Sequence, residues 1–405
     1  MPSAREAAIS QNLSYQRDIQ YVLKLNNWIL CTIGILPFTT HGIGRHAFKI
    51  LIAFCNFIIS FAIVPCVLHI IYDQKDIITR LKLFGLLAFC FIAMTKYYIL
   101  TIRRPKILYC IEFMKRDWWQ VTFSSDREQM LKYAAAGRKL TIIVTSFIYT
   151  SAAIFQLILP FFSEHIINNQ TVRPLVFPIY SKFRQFQISP VYEIVYVAHC
   201  MCQYTISSVT VGTSGLAALF VTHACGQIEV ILSRLKDLID GKSFKQNPNI
   251  YRRIAAIVRS HVRVVRFVAM VEEVLQEICL VELSSSLCTL CLLEYYCIVD
   301  WQDDDRISLA TYFVLFVSFC FNVYMLCYIG ELLMEKSSQI GYICYMINWY
   351  QTSPKFARSL ILIIAMASHP IKISAGRIVD LSLLTFVNVL KTTMAYLSFL
   401  RTLVV

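Results

Sequence analysis

Charge is what this chain has least of. Only 16% of its 405 residues are Asp, Glu, Lys or Arg, against roughly 25% in soluble domains, and that shortfall excludes an ordinary water-soluble domain. The patterns of common enzyme chemistry are missing too: there is no HExxH, no GxSxG, no phosphate-binding glycine loop and no dinucleotide fingerprint. The ionisable residues inside apolar stretches, Glu282, Glu294, Asp380 and Lys391, fall on different segments or levels and form no hydrolytic set. An enzyme is not expected, and no cofactor is implied. Nor is there the inverted repeat or pair of broken helices of a secondary transporter. Cysteine is plentiful at 15, but it lies mostly within apolar runs (Cys55, Cys66, Cys90, Cys288, Cys320). Small buried side chains are expected there, with no metal site and no disulfide framework.

What is present is apolar length. The hydrophobic set makes up 57% of the residues and mean hydropathy is +0.58, so the expectation is an all-α, polytopic membrane protein. Seven stretches can cross a bilayer at about 20 residues each: residues 47–71, 77–100, 140–162, 191–220, 268–298, 307–333 and 379–403. The earlier run Trp28 to Phe38 is short, broken by Gly34 and Pro37, and follows a polar segment. It is not a signal peptide, and the first full span is expected to serve as the signal. Tyr21, Leu25, Trp28 and Leu30 have helical spacing there, as in an amphipathic interfacial anchor.

The formal charge of +13 reads as nucleic-acid binding only until it is mapped. Lys and Arg crowd the second inter-span loop (Arg103, Arg104, Lys106, Lys115, Arg116) and the fourth (Arg234, Lys236, Lys242, Arg252, Arg253), while the odd loops carry few. By the positive-inside rule the N-terminus is cytoplasmic and, after seven spans, the C-terminus is outside. The sequon at Asn169 falls in the third loop, on the outer side, and is the expected glycosylation site. This orientation opposes a G-protein-coupled receptor, the less favoured alternative, whose N-terminus is extracellular. The NPxxY pattern at Asn247 sits in a charged loop, not at the end of a last helix. Four acids, Asp300, Asp303, Asp304 and Asp305, are expected to cluster in the fifth loop outside the membrane.

No Gly or Pro interrupts Asn249 to Ile298, so one helix of about 75 Å is expected there. Only about 30 Å of it fits in hydrocarbon. Several helices should therefore leave the membrane together as a cytoplasmic anchor bundle, joined by a short helix at Phe356 to Ala367. The last span has a polar face: stepping from Leu381 gives Thr385, Asn388, Thr392, Tyr396, Phe399 and Leu403. A polar stripe in a membrane helix needs polar neighbours, as in helix packing, or water, as in a pore.

Several segments then resemble insect odorant receptors, with a style like the expanded sets of ants, bees and wasps: His223-Ala224-Cys225-Gly226-Gln227, Trp349-Tyr350, Ala367-Ser368-His369-Pro370, Ser374-Ala375-Gly376 and Leu390-Lys391-Thr392-Thr393-Met394-Ala395-Tyr396. The sister gustatory pattern fails at Thr402-Leu403, which leaves that family as the alternative. The resemblance implies a ligand-gated, non-selective cation channel, a tetramer formed with a shared co-receptor subunit in the plasma membrane of olfactory neuron dendrites. It implies gate positions at Phe399 and Leu403 with Thr402 beside them. It also implies a pocket for small hydrophobic odorants or pheromones in the outer half of the bundle, where Phe84, Ala88, Phe91, Tyr149, Ala153, Gln156, Tyr192, Tyr196, His199, Thr311, Tyr312 and Phe316 fall by topology. The expected division is a cytoplasmic segment with an amphipathic helix (1–46), spans one to four as the ligand bundle (47–220), a cytoplasmic loop with helix extensions (221–266), spans five and six (267–333), an anchor segment (334–375) and a pore-lining helix (376–405).

The topology has a direct test. An N-terminal epitope tag should be invisible to antibody on intact cells and a C-terminal tag visible; the reverse staining would exclude the seven-span orientation.

Overall fold

The computed structural model describes residues 14–36, 44–75, 77–162, 165–167, 170–172, 175–180, 182, 190–239, 250–302, 304, 306–347 and 354–404. Its elements in chain order are α1 (Tyr15–Thr32), α2 (Gly44–Tyr72), α3 (Ile77–Trp119), α4 (Ser124–Phe162), β1 (His165–Ile167), β2 (Gln170–Val172), α5 (Val191–Ile239), α6 (Ile250–Gln302), α7 (Arg306–Met346), α8 (Pro354–Ala367), β3 (Ser374–Ala375), β4 (Val379–Asp380) and α9 (Leu383–Val404). The fold is all-α, with two antiparallel two-stranded hairpins, β1–β2 and β3–β4, as its only sheet among the described residues. A helix satisfies its own backbone polar groups, which is the condition for crossing lipid.

The seven-span expectation corresponds to α2 to α7 and α9. Five of these, α2, α3, α4, α5 and α7, are long and apolar enough to cross a membrane by length and composition, and Leu383–Phe399 of α9 is apolar but shorter. The uninterrupted stretch after Pro248 is indeed one helix, α6, of 53 residues, and the expected short helix is α8.

At the centre is α5, buried without a break from Thr205 to Gly226. It packs against α4, α7, α6, α1, α2 and α3. Small residues let α1 come close: a Cβ on Gly212 would lie 2.9 Å from Leu30 Cδ2, and one on Gly215 2.3 Å from Asn26 Oδ1. The face α1 turns inward is Ile19, Val22, Asn26, Ile29 and Leu30, while Tyr21 and Trp28 stay exposed. The anchor helix therefore keeps its predicted helical spacing but is docked into the bundle by the neighbouring face.

Ion pairs stitch the seam where α3 and α6 run antiparallel. Lys82 pairs with Asp300 at 2.6 Å and Lys96 with Glu282 at 2.8 Å; Arg103 grips Glu277 and Lys106 pairs with Glu273. Asp300 is thus buried on α6 and paired with Lys82 of α3, not part of an exposed acid cluster; Asp304 is exposed, and Asp303 and Asp305 lie outside the described residues. Lys96 and Glu282 are almost fully buried, at 1% and 2% exposure. The other Glu282 oxygen accepts from Asn322 Nδ2 at 2.8 Å, Asn322 Oδ1 accepts from Ser214 Oγ at 2.7 Å, and Lys96 Nζ also donates to Thr210 Oγ1 at 3.3 Å. One polar knot therefore ties α3, α5, α6 and α7 together at mid-bundle. Further along the seam, Asp117 of α3 accepts from His223 of α5 at 3.0 Å and from Arg263 of α6, which gives His223 a structural role.

The last helix hangs from a clamp. In the β3–β4 turn Gly376 and Arg377 both have positive φ, 61° and 59°, the hairpin geometry that glycine tolerates best. Gly376 N donates to Gln276 O at 2.8 Å and Ser374 Oγ to Glu272 Oε1 at 2.6 Å, both on α6. Leu381 then lies against Gly330 of α7, where an added Cβ would meet Leu381 O at 2.2 Å.

The knot predicts a double-mutant signature. Lys96→Met alone, leaving a buried unpaired carboxylate, should cost about 3–5 kcal/mol, whereas Lys96→Met with Glu282→Met should recover most of that. Thermal unfolding of the detergent-purified proteins followed by size-exclusion fluorescence measures both; equal loss in the single and double variants would deny the pair its role.

Candidate functional site: an aromatic outer cluster and an open face on the last helix

The residues expected to meet a ligand divide into three groups. The first is assembled where α4 and α5 meet α2 and the 175–180 segment. Tyr196 Oη donates to Gln156 O at 3.2 Å, joining α5 to α4. Tyr192 stacks on Tyr196 with ring centroids 6.1 Å apart, and Tyr149 lies 5.8 Å from Tyr204 while its hydroxyl meets Ser208 Oγ at 2.7 Å. His199 is 1% exposed and sits between Phe177, at 5.2 Å edge-on, and Phe61, at 6.4 Å. Among the described residues, two buried polar atoms here have no hydrogen-bond partner, His199 Nδ1 and Gln156 Nε2. A buried polar atom without a partner costs free energy, so this aromatic-walled cluster has something to gain from a molecule that carries a donor or acceptor.

The second group lies between α3, α6, α7 and α9. Tyr312 faces Tyr296 at 5.3 Å and has Lys82 Nζ 5.6 Å from its ring. Phe316 packs on a core of Leu290, Leu293, Tyr295, Tyr296, Phe319 and Val389. Thr311 uses its hydroxyl on Ile307 O at 2.9 Å, within its own helix. The third group stays outside: Phe84 and Phe91 are 58% and 48% exposed, Ala153 is exposed and Ala88 is half-buried. Sequence reading did not single out Phe61, Phe177, Tyr295 or Tyr296, although Tyr295-Tyr296 directly follows the membrane acid Glu294 and could have been noticed for that. A cleft of about 490 Å³, lined by Arg17, Asp18, Tyr21, Glu128, Leu131, Lys132 and Ala135, opens at the opposite end of α4. Its charged walls do not match the apolar chemistry of the outer cluster.

The last helix has one packed and one open face. Val389 and Thr393 are buried, and Phe386, Leu390 and Leu397 half-buried, against α6 and α7; the Phe386 ring meets Tyr324 of α7 at 5.5 Å. Thr393 Oγ1 donates to Glu294 Oε1 at 3.2 Å, and Glu294 Oε2 is buried without a hydrogen-bond partner. On the other side Asn388, Tyr396 and Phe399 are exposed and Thr392 partly so. Leu381, expected to begin this stripe, is instead buried ahead of the helix. The side chains of Thr402 and Leu403, and Asn169 altogether, lie outside the described residues.

The sequence profile of the 7tm odorant receptor family matches residues 76–394. The chain belongs to that family. Odorant receptor relatives are similar along part of the chain: odorant receptor 10 of Aedes albopictus is 23% identical over 53% of this chain and 56% of its own length, and odorant receptor 49a of Drosophila melanogaster 24% identical over 52% of each. The chain thus spans about half the length of these curated relatives. Among solved structures, the olfactory receptor OR5 of Machilis hrabei superposes with a TM-score of 0.72 at 15% identity, over 96% of this chain and 99% of that one. The same receptor in complex with eugenol gives 0.74 over 96% and 100%. These matches make the odorant receptor chain a multi-pass membrane protein of a receptor family, not an enzyme.

If the unpaired atoms of the outer cluster orient ligands, His199→Phe and Gln156→Leu should lower the response to odorants with a hydroxyl or carbonyl about tenfold, in line with about 1–3 kcal/mol per buried unpaired group, and spare hydrocarbon ligands. A ligand panel read by calcium imaging checks this; a uniform loss across the panel would refute it.

Proposed function

We propose that this odorant receptor chain is a subunit of a ligand-gated, non-selective cation channel. It binds small hydrophobic odorants or pheromones in the outer half of the bundle and opens a pore lined by α9. The observation that carries this reading is the open face of α9. Asn388, Tyr396 and Phe399 are exposed and Thr392 is partly so, and polar side chains in a membrane span want water or a partner. Four such helices around an axis supply both. The family membership and the likeness to an odorant-bound insect receptor support a small apolar ligand, and the cluster around Tyr149, Gln156, Tyr196 and His199 is the ligand region this reading favours. The exposed apolar side chains of the 334–375 segment and α8, such as Tyr342, Tyr345 and Ile361, suit the meeting of subunits, one of them a shared co-receptor, in the plasma membrane of olfactory neuron dendrites.

The pore closes at Phe399 and Leu403, because an apolar ring strips water from an ion and gives nothing back. Phe399→Ser or Leu403→Ser should therefore raise ligand-free current severalfold in cells that also express a co-receptor. Leu390→Ser and Leu397→Ser, on the packed face, should chiefly reduce surface expression. Voltage-clamp recording with surface labelling separates these outcomes, and identical behaviour of the two pairs would return the stripe to a packing role.

A further inference from the structure

Two lysines of α3, Lys82 and Lys96, each have a carboxylate on α6, Asp300 at 2.6 Å and Glu282 at 2.8 Å. Lys391 of α9 contrasts with them. The residue is exposed, and among the described residues no carboxylate pairs with it. The acid nearest in level, Glu294, is bound to Thr393 on the packed face. Helical spacing puts Lys391 in line with Asn388, Ala395 and Ser398, all exposed, so it lies on the same open face. It stands eight residues, about 12 Å, beyond the first residue of the helix, inside the stretch read as the seventh span. A lysine at that depth needs water or an acid, and among the described residues no acid pairs with it.

Resting on the reading of α9 as the pore helix, we propose that Lys391 faces the conduction path and that each copy of this subunit places one fixed positive charge in it. That charge repels permeating cations, divalent ones most, so it limits unitary conductance and sets how strongly divalent cations are disfavoured. It also works against channels built from this chain alone, since four copies would bring four such charges to one level. The electrostatics of the pore would then depend on how many subunits of this kind it contains.

The experiment records single channels from cells expressing this chain with a co-receptor, comparing wild type, Lys391→Met and Lys391→Arg. Lys391→Met should raise unitary cation conductance and the permeability of Ca²⁺ relative to Na⁺ by roughly threefold, and Lys391→Arg should match wild type. As a second measurement, Lys391→Cys should react with charged methanethiosulfonates supplied in water: the cationic reagent lowers the conductance of that variant and the anionic one raises it. The proposal is overturned if ligand-evoked currents are present but wild type and Lys391→Met agree in conductance and selectivity, or if Lys391→Cys does not react. If wild type with the co-receptor gives no ligand-evoked current, the channel reading itself falls and this inference with it.

Discussion

A buried Lys96–Glu282 pair is the constraint around which the bundle is built. Two charges at the level of lipid tails are tolerable only together and only when their remaining hydrogen-bonding capacity is used. Here Thr210 takes one lysine proton and Asn322 covers the second carboxylate oxygen. Because the four participants come from four helices, the requirement to satisfy them fixes how α3, α5, α6 and α7 stand relative to one another. A one-residue slip of α6 along α3 would break not one pair but the series from Lys82–Asp300 to Lys106–Glu273. Apolar packing alone specifies register weakly in lipid, where a leucine is as content against an acyl chain as against another leucine. The charges supply the register.

This also explains how α6 can be a membrane helix with acids in it. Glu282 and Asp300 find lysines on α3, and Glu294 finds a hydroxyl on α9. Meanwhile α9 is tied to the bundle most densely at its start. The β3–β4 clamp on α6, the contact of Leu381 with Gly330 and the Ser382 hydroxyl, which accepts from Thr385 N at 3.2 Å, all act at its first turn. Towards the other end the packed residues give way to exposed Tyr396, Ser398 and Phe399. The ties of α9 to the rest of the chain are thus densest at its root.

Much of this was legible in the sequence because it is local. Hydropathy marks the spans, the lack of Gly and Pro marks the length of α6, and a repeat of three and four marks the two faces of α9. Long-range pairing was not legible: Lys96 and Glu282 are 186 positions apart, and nothing in either neighbourhood names the other. Asp300 looked like part of an acidic loop because three acids follow it closely; only Lys82, far off in the chain, draws it into α6. The inward face of α1 was not legible for a different reason. Apolar residues lie on both of its sides, and the glycines of α5 that select between them belong to another helix. Topology named Tyr149, Tyr196 and His199 together with Phe84 and Phe91 and could not separate the buried ones from the exposed ones, since rotation about a helix axis is set by neighbours.

The resting energetics of the outer cluster bear on what kind of ligand it prefers. His199 Nδ1 and Gln156 Nε2 are each buried without a partner, at about 1–3 kcal/mol apiece. That cost is carried by the free receptor. A purely apolar guest gains contact area and leaves the cost in place, whereas a guest of equal size with one well-aimed oxygen or hydroxyl gains area and removes part of it. The difference for one such group, about 1.4 kcal/mol per tenfold, is large enough to rank odorants that hardly differ in volume. Under the proposed reading, the aromatic walls Phe61 and Phe177 beside His199 would limit the size of the guest and the unpaired nitrogens its chemistry. Under the proposed reading of this cluster as the ligand site, selectivity would rest on the unpaired nitrogens of His199 and Gln156.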